Sequence, residues 1–106
     1  MPATKSATIG TAMPAFANEL VAALVAAGRS EMAATVHDLP IVSRCRCGDS
    51  NCATFHTVAG PEERVGTSML LDLEGMVVID HVDHEILTVE VLDRPRVRDA
   101  LRAVLL

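Results

Sequence analysis

The sequence predicts an α+β fold in which N-terminal helices precede an antiparallel β-meander of four or five strands, and a C-terminal helix packs on one face. Three observations support this fold class. Apolar residues recur with helical spacing before Pro40, the period falls towards two after it, and helical spacing returns after Asp93. The chain has 106 residues and half of them are hydrophobic, which suffices for one core. We expect residues 1–12 to form a flexible tail and residues 13–106 to form a single domain.

The helices are predicted from apolar spacing and from residues that begin or end helices. Pro14 is placed to begin the first helix, apolar residues then recur at every fourth position, and Gly28 is placed to end it. Ser30 can cap a second, shorter helix over residues 31–37. Asp93 is the predicted N-cap of the last helix, which carries an apolar stripe.

The strands are predicted where β-branched residues are frequent or where apolar and polar residues alternate. Glu74 and Gly75 form a predicted hairpin turn, and a polar bend is expected at residues 80–85. The predicted strands cover residues 41–45, 53–58, 69–73, 76–79 and 87–91.

Charge and composition exclude several classes of partner. The net charge of −5 argues against nucleic acids and anionic membranes, which need a basic surface, and no apolar run reaches membrane-spanning length. Only two aromatic residues occur, both phenylalanine, so aromatic stacking platforms for single-stranded nucleic acids are missing. These observations count against nucleic-acid and membrane partners.

Charged residues are distributed unevenly along the chain. The segment 65–92 contains six acidic residues and no Lys or Arg, whereas the C-terminal helix carries several arginines. We expect the acidic sheet surface or this basic helix to contact a protein partner, and their opposed charges also allow a homo-oligomer. The segment before Ala15 is too polar for a signal peptide and the cysteine count is odd, so we expect a cytoplasmic protein.

All three cysteines lie within eight residues, and a histidine follows the last one at the fourth position. The predicted metal ligands are Cys45, Cys47, Cys52 and His56, because three thiolates and one imidazole form a standard tetrahedral zinc set. Gly48 lets the backbone turn tightly behind the first two ligands. The segment resembles zinc knuckles across about a dozen residues, and the resemblance implies metal binding and no more.

Strand geometry tests this ligand set. If residues 52–58 are extended, the Cα atoms of Cys52 and His56 lie about 13 Å apart, at ~3.3 Å per residue, and cannot both serve one ion. A shared ion then requires a helical turn from Cys52 to His56. Otherwise no zinc binds, or the fourth ligand comes from another residue. The alternatives for that ligand are Asp49, His37, His81 and His84.

Two other interpretations need no metal. In the first, residues 48–51 form a hairpin loop in which Cys47 faces Cys52, Cys45 faces Thr54 and Ser43 faces His56, and the cysteines serve as small buried hydrophobes. In the second, Cys47 and Cys52 form a reversible disulfide, and the flanking arginines favour the reactive thiolate.

The segment from Asp80 to Glu85 holds two histidines and three carboxylates within six residues. It is either a hard-metal or acid–base group, or a solvated hairpin turn of the kind that selects Asp. Phosphate-binding and serine-hydrolase motifs do not occur. We therefore expect a small cytosolic, non-enzymatic accessory or protein-interaction domain with a cysteine hairpin. The alternatives are a thiol redox switch and a small metalloenzyme that uses the cysteines or residues 80–85.

Overall fold

The computed structural model describes residues 7–105, and it confirms the predicted α+β class. The helices are α1 (Ile9–Ala12), α2 (Pro14–Ala26), α3 (Ser30–Ala33) and α4 (Pro95–Val104), with 3-10 helices at Val36–Asp38 and Pro61–Glu63. The strands are β1 (Ser43–Arg44), β2 (Phe55–His56), β3 (Thr67–Leu70), β4 (Met76–Val82) and β5 (Glu85–Leu92).

The first long helix has the predicted ends. α2 begins at Pro14, whose missing N–H costs nothing at a first helical position, and it ends before Gly28, which adopts a left-handed φ of 78°. The second predicted helix, over residues 31–37, is shorter than expected. It consists of α3 and a separate 3-10 turn at Val36–Asp38.

The packed part of the chain begins earlier than residue 13. Thr8 and Thr11 form a reciprocal capping box for α1, and Ile9 is completely buried. The backbone N–H of Ile9 donates to the carbonyl of Leu39 over 2.9 Å. Part of the predicted tail is therefore a packed helix, and residues 1–6 of that tail lie outside the described residues.

The five strands form one antiparallel sheet with the order β1-β2-β5-β4-β3. The sheet is antiparallel as predicted, and β3, β4 and β5 form a meander of three strands within it, where four or five were predicted. The β1–β2 hairpin then joins the far side of β5, with Phe55 opposite Val89 and His56 opposite Thr88. This pairing brings the cysteine segment beside the last strand of the meander.

One face of the sheet is covered by the helices and the other, here called the open face, is not. In β4, Val77 and Ile79 are completely buried, whereas Asp80 is half-buried. A bulge between β4 and β5 interrupts the alternation at Leu87. As a result Leu87 and its neighbour Thr88 both line the open face.

The start of α4 differs from the prediction. Asp93 is not its N-cap: it has a left-handed φ of 60°, and its N–H donates to the carbonyl of Asn51 over 3.2 Å. Aspartate tolerates this backbone region better than most residues, so Asp93 forms part of the turn between β5 and α4. The helix itself starts at Pro95. α4 then buries Val97 and Leu101. Within residues 7–105, no helix is long and apolar enough to cross a bilayer.

Candidate metal centre

The first half of the cysteine segment continues strand β1. The ladder pairs Ser43 with His56, and the N–H of Cys45 donates to the carbonyl of Thr54 over 2.9 Å. This is the predicted hairpin register. Because side chains alternate along a strand, the side chains of Cys45 and Cys47 are expected on the same face of the hairpin.

The loop that follows is closed by local hydrogen bonds. Gly48 has a φ of 82°, and the Asp49 carboxylate accepts the N–H of Asn51 over 2.8 Å. The N–H of Cys52 donates to the Asp49 carbonyl over 3.1 Å. Arg98 on α4 donates to the carbonyl of Ser50 over 3.1 Å, so the loop is also fixed from the last helix.

The hairpin brings the three sulfur atoms together. The Sγ atoms of Cys45, Cys47 and Cys52 all lie within 4.8 Å of one another, and all three thiols are free. Ligands of a tetrahedral zinc with Zn–S bonds of about 2.3 Å are about 3.8 Å apart. A contraction of the Sγ–Sγ distances by at most about 1 Å would give the spacing of such a ligand set. We call these three residues the thiol cluster.

The thiols ionise unequally. Burial raises the pKa of Cys45, and its interactions with the neighbouring thiols of Cys47 and Cys52 add to the increase. A hydrogen bond from the Cys47 backbone acts in the opposite direction and lowers the pKa. Burial also opposes ionisation of Cys52, but hydrogen bonds from Thr54 and from the other two thiols outweigh it and lower the pKa of Cys52. The thiolate therefore forms more readily at Cys52 than at Cys45.

His56 was predicted as the fourth ligand, and it is not part of the thiol cluster. The chain from Cys52 to His56 is extended and pairs with β5, as the β-branched and aromatic residues there favour. The Nδ1 atom of His56 lies 2.9 Å from the Thr88 hydroxyl instead. The structure thus brings together three of the four predicted ligands.

The alternative fourth ligands also lie elsewhere. The Asp49 carboxylate is used in its own turn, and His37 lies in a 3-10 helix beside Gly10. His81 is buried with Nδ1 2.9 Å from the Asp83 carbonyl, and the Nε2 of His84 lies 2.8 Å from Glu31. Within residues 7–105, no histidine or carboxylate joins the three thiols, and the remaining residues include no Cys, His, Asp or Glu.

The segment from Asp80 to Glu85 comprises the end of β4, a tight turn at Asp83 and His84, and the first residue of β5. Asp83 has a positive φ of 50°, and the acidic and histidine side chains diverge from it. Asp80 accepts a hydrogen bond from Ser68 over 2.5 Å, and Glu85 forms an ion pair with Arg64. Within the described residues, these side chains do not form a group able to hold a metal.

A groove on the open face begins at the thiol cluster, and we call it the open-face groove. Its volume is about 470 Å³, and Cys45 and His56 are among its lining residues. Charged residues in its wall are Glu62, Arg64, Asp80 and Glu90. Sequence reasoning missed this groove, because its residues come from separate segments and only the strand register places them together.

Glu90 has the most distinctive environment in the open-face groove. The register puts Val78 opposite Glu90 and Asp80 opposite Thr88, so the two carboxyl groups are diagonal neighbours. Burial raises the pKa of Glu90, and the charge of Asp80 and a hydrogen bond to it add to the increase. The groove therefore holds a carboxyl pair in which the pKa of Glu90 lies above its usual value.

No protein-family model, curated protein or solved structure matches this chain.

Proposed function

We propose that the protein is a small protein-interaction domain whose cysteine hairpin is held by a thiophilic metal ion, with zinc as the metal. The observation that carries the proposal is the convergence of Cys45, Cys47 and Cys52 to within 4.8 Å at the end of a fixed hairpin. Thiolate ligands select soft and borderline ions such as Zn²⁺ and Cu⁺. The proposal places the protein in the cytosol, where reducing conditions keep thiols free.

Surface features support an interaction role. Val65 is 98% exposed and Leu70 is 70% exposed, and both lie at or beside the edge strand β3. Exposed apolar residues on an unpaired sheet edge offer both side-chain contacts and backbone hydrogen bonds to a partner. A second copy is one such partner. A monomer in gel filtration at high concentration and low salt would contradict self-association.

Metal binding is tested by elemental analysis of protein purified without chelators. We expect one zinc per chain in the native protein and loss of that zinc in Cys52→Ser. His56→Gln is the matched control, because His56 was predicted as a ligand but lies outside the thiol cluster, and it should retain the metal. Absence of bound metal in the native protein, and none after addition of zinc under reducing conditions, would refute the proposal.

A thiol redox switch is the second candidate function, and the lowered pKa of Cys52 favours it. In this reaction one hydrogen peroxide oxidises the thiols of Cys47 and Cys52 to a disulfide. The peroxide takes up two electrons and two protons from the thiols and becomes two waters. Thiol titration after mild peroxide, before and after dithiothreitol, measures this step. An unchanged thiol count would refute the switch without affecting the metal proposal.

A further inference from the structure

The thiol cluster supplies three metal ligands, and a tetrahedral ion takes four. The two nearest alternatives in sequence are already engaged. Asp49 accepts the N–H of Asn51, and the His56 ring is bonded to Thr88. Neither side chain has a ligand atom within the thiol cluster, so either residue must move before it can bind the ion. The fourth coordination position is therefore available to a ligand from outside the chain.

The open-face groove gives that ligand a place to bind. Cys45 belongs both to the thiol cluster and to the groove wall, so the groove begins at the ligand set. A volume of about 470 Å³ falls within the usual range for small-ligand sites, about 300–1,000 Å³, and admits an aromatic ring with adjoining groups. A donor that enters along the groove thus approaches the ion beside Cys45.

The charge of this environment selects the kind of donor. Three thiolates and one divalent ion carry a net negative charge, and Glu62, Asp80 and Glu90 line the groove beside them. The single arginine in the wall, Arg64, is bound to Glu85. Arg44 and Arg46 flank Cys45, so the region also contains positive charge. An anionic fourth ligand would nevertheless add negative charge beside the thiolates and the groove carboxylates, whereas a neutral nitrogen donor would not.

We propose that the fourth coordination position opens to the open-face groove and accepts a neutral imidazole, supplied by a histidine in a basic segment of a protein partner. This inference rests on the proposed metal function. The basic flanks of the segment would pair with Glu62 and the Asp80–Glu90 carboxyls, while the imidazole binds the ion. The metal then serves as the contact point of the interaction and not only as a structural clamp.

Cobalt(II) is the probe for the test, because its visible spectrum reports both tetrahedral thiolate binding and replacement of the fourth ligand. Co²⁺-loaded protein is titrated with imidazole and, separately, with azide. Imidazole should change the spectrum in a saturable way, and azide should bind more weakly. A lysine-rich peptide with one histidine should bind more tightly than imidazole, and its His-to-Ala version should leave the spectrum unchanged.

Two neighbouring glutamates provide matched variants. Glu62 lines the groove and Glu63 does not. Glu62→Gln should strengthen azide binding on the order of threefold, because it removes one negative charge from the groove wall, and Glu63→Gln should change it less. Equal effects of the two substitutions would contradict the role of groove charge.

The remaining outcomes separate the two proposals. A tetrahedral Co²⁺ spectrum that responds to neither imidazole nor azide indicates a closed shell; it overturns the inference and leaves metal binding intact. A spectrum that changes in His56→Gln would identify His56 as the closing ligand, with the same consequence. Azide binding as tight as imidazole binding overturns the selection for a neutral donor. Failure to bind Co²⁺ at all refutes the proposed function itself.

Discussion

Removal of one carboxyl charge from the open-face groove should stabilise the fold at neutral and alkaline pH. The substitution is Glu90→Gln. Glu90 is half-buried and hydrogen-bonded to its diagonal neighbour Asp80, and its pKa is raised in the folded state. A raised pKa means that protonated Glu90 favours folding, and that this contribution is lost as pH rises through the folded-state pKa. Glutamine keeps a hydrogen-bond donor next to Asp80 and never acquires the charge.

The size of the gain follows from the cross-strand geometry. Like charges on neighbouring strands destabilise a sheet by about 0.2–1 kcal/mol, so Glu90→Gln should raise the free energy of unfolding by that amount at about pH 8. For a domain of this length, the melting temperature should rise by about 1–8 °C. At about pH 3, more than one unit below the unfolded-state pKa of about 4.3, Glu90 is almost fully protonated in both states and the difference should vanish.

Urea denaturation at the two pH values measures the effect, and Glu85→Gln is the control. Glu85 lies on the same strand as Glu90 and forms an exposed ion pair with Arg64, so the loss of its charge should be neutral or cost up to about 1 kcal/mol. Two results would refute the reasoning. One is a Glu90→Gln variant that is no more stable than the native protein at about pH 8, and the other is a gain of equal size at both pH values.

Three further predictions test the fold and the thiol cluster. Gly75→Ala should destabilise the protein more than Gly28→Ala. Both glycines have positive φ (76° and 78°), but only at Gly75 would an added Cβ lie 2.6 Å from the Leu92 carbonyl oxygen. Equal losses of stability in urea denaturation would contradict this. Phe55→Ala should lower the free energy of unfolding by about 3–5 kcal/mol, because Phe55 is completely buried. A loss of less than about 1 kcal/mol in urea or thermal denaturation would disprove its place in the core. Zinc at a free concentration about a hundredfold above its Kd should raise the free energy of unfolding by about 2.7 kcal/mol, measured by thermal denaturation. The same increase in the Cys47→Ser variant would rule out Cys47 as a ligand.

Features encoded by neighbouring residues were predictable from the sequence. Pro14 and Gly28 set the ends of α2, since each acts on the backbone of its own turn. The cysteine hairpin register was also predictable, because a four-residue loop fixes which residues face each other across the strands. The same local reasoning established that an extended chain from Cys52 to His56 cannot place both residues on one ion.

Features that depend on distant pairing were not predictable. Nothing near Glu90 in the sequence indicates that its carboxyl lies beside Asp80, since the contact exists only in one register of β4 and β5. Asp93 has the sequence context of a helix cap, but the carbonyl of Asn51 accepts its N–H and holds it in a left-handed turn. Long-range partners thus override local preference at both positions.

The contacts around the hairpin loop determine what metal binding would stabilise. Cys52 forms a β-bridge with Leu92, Asn51 accepts the N–H of Asp93, and Ser50 accepts a hydrogen bond from Arg98. The loop therefore lies on the β5–α4 connection, about forty residues away in the chain. An ion held by the thiol cluster would stabilise this long-range junction together with the loop. Because the junction forms only in the folded protein, metal binding should stabilise the whole domain, whereas in an isolated zinc knuckle it stabilises the knuckle alone.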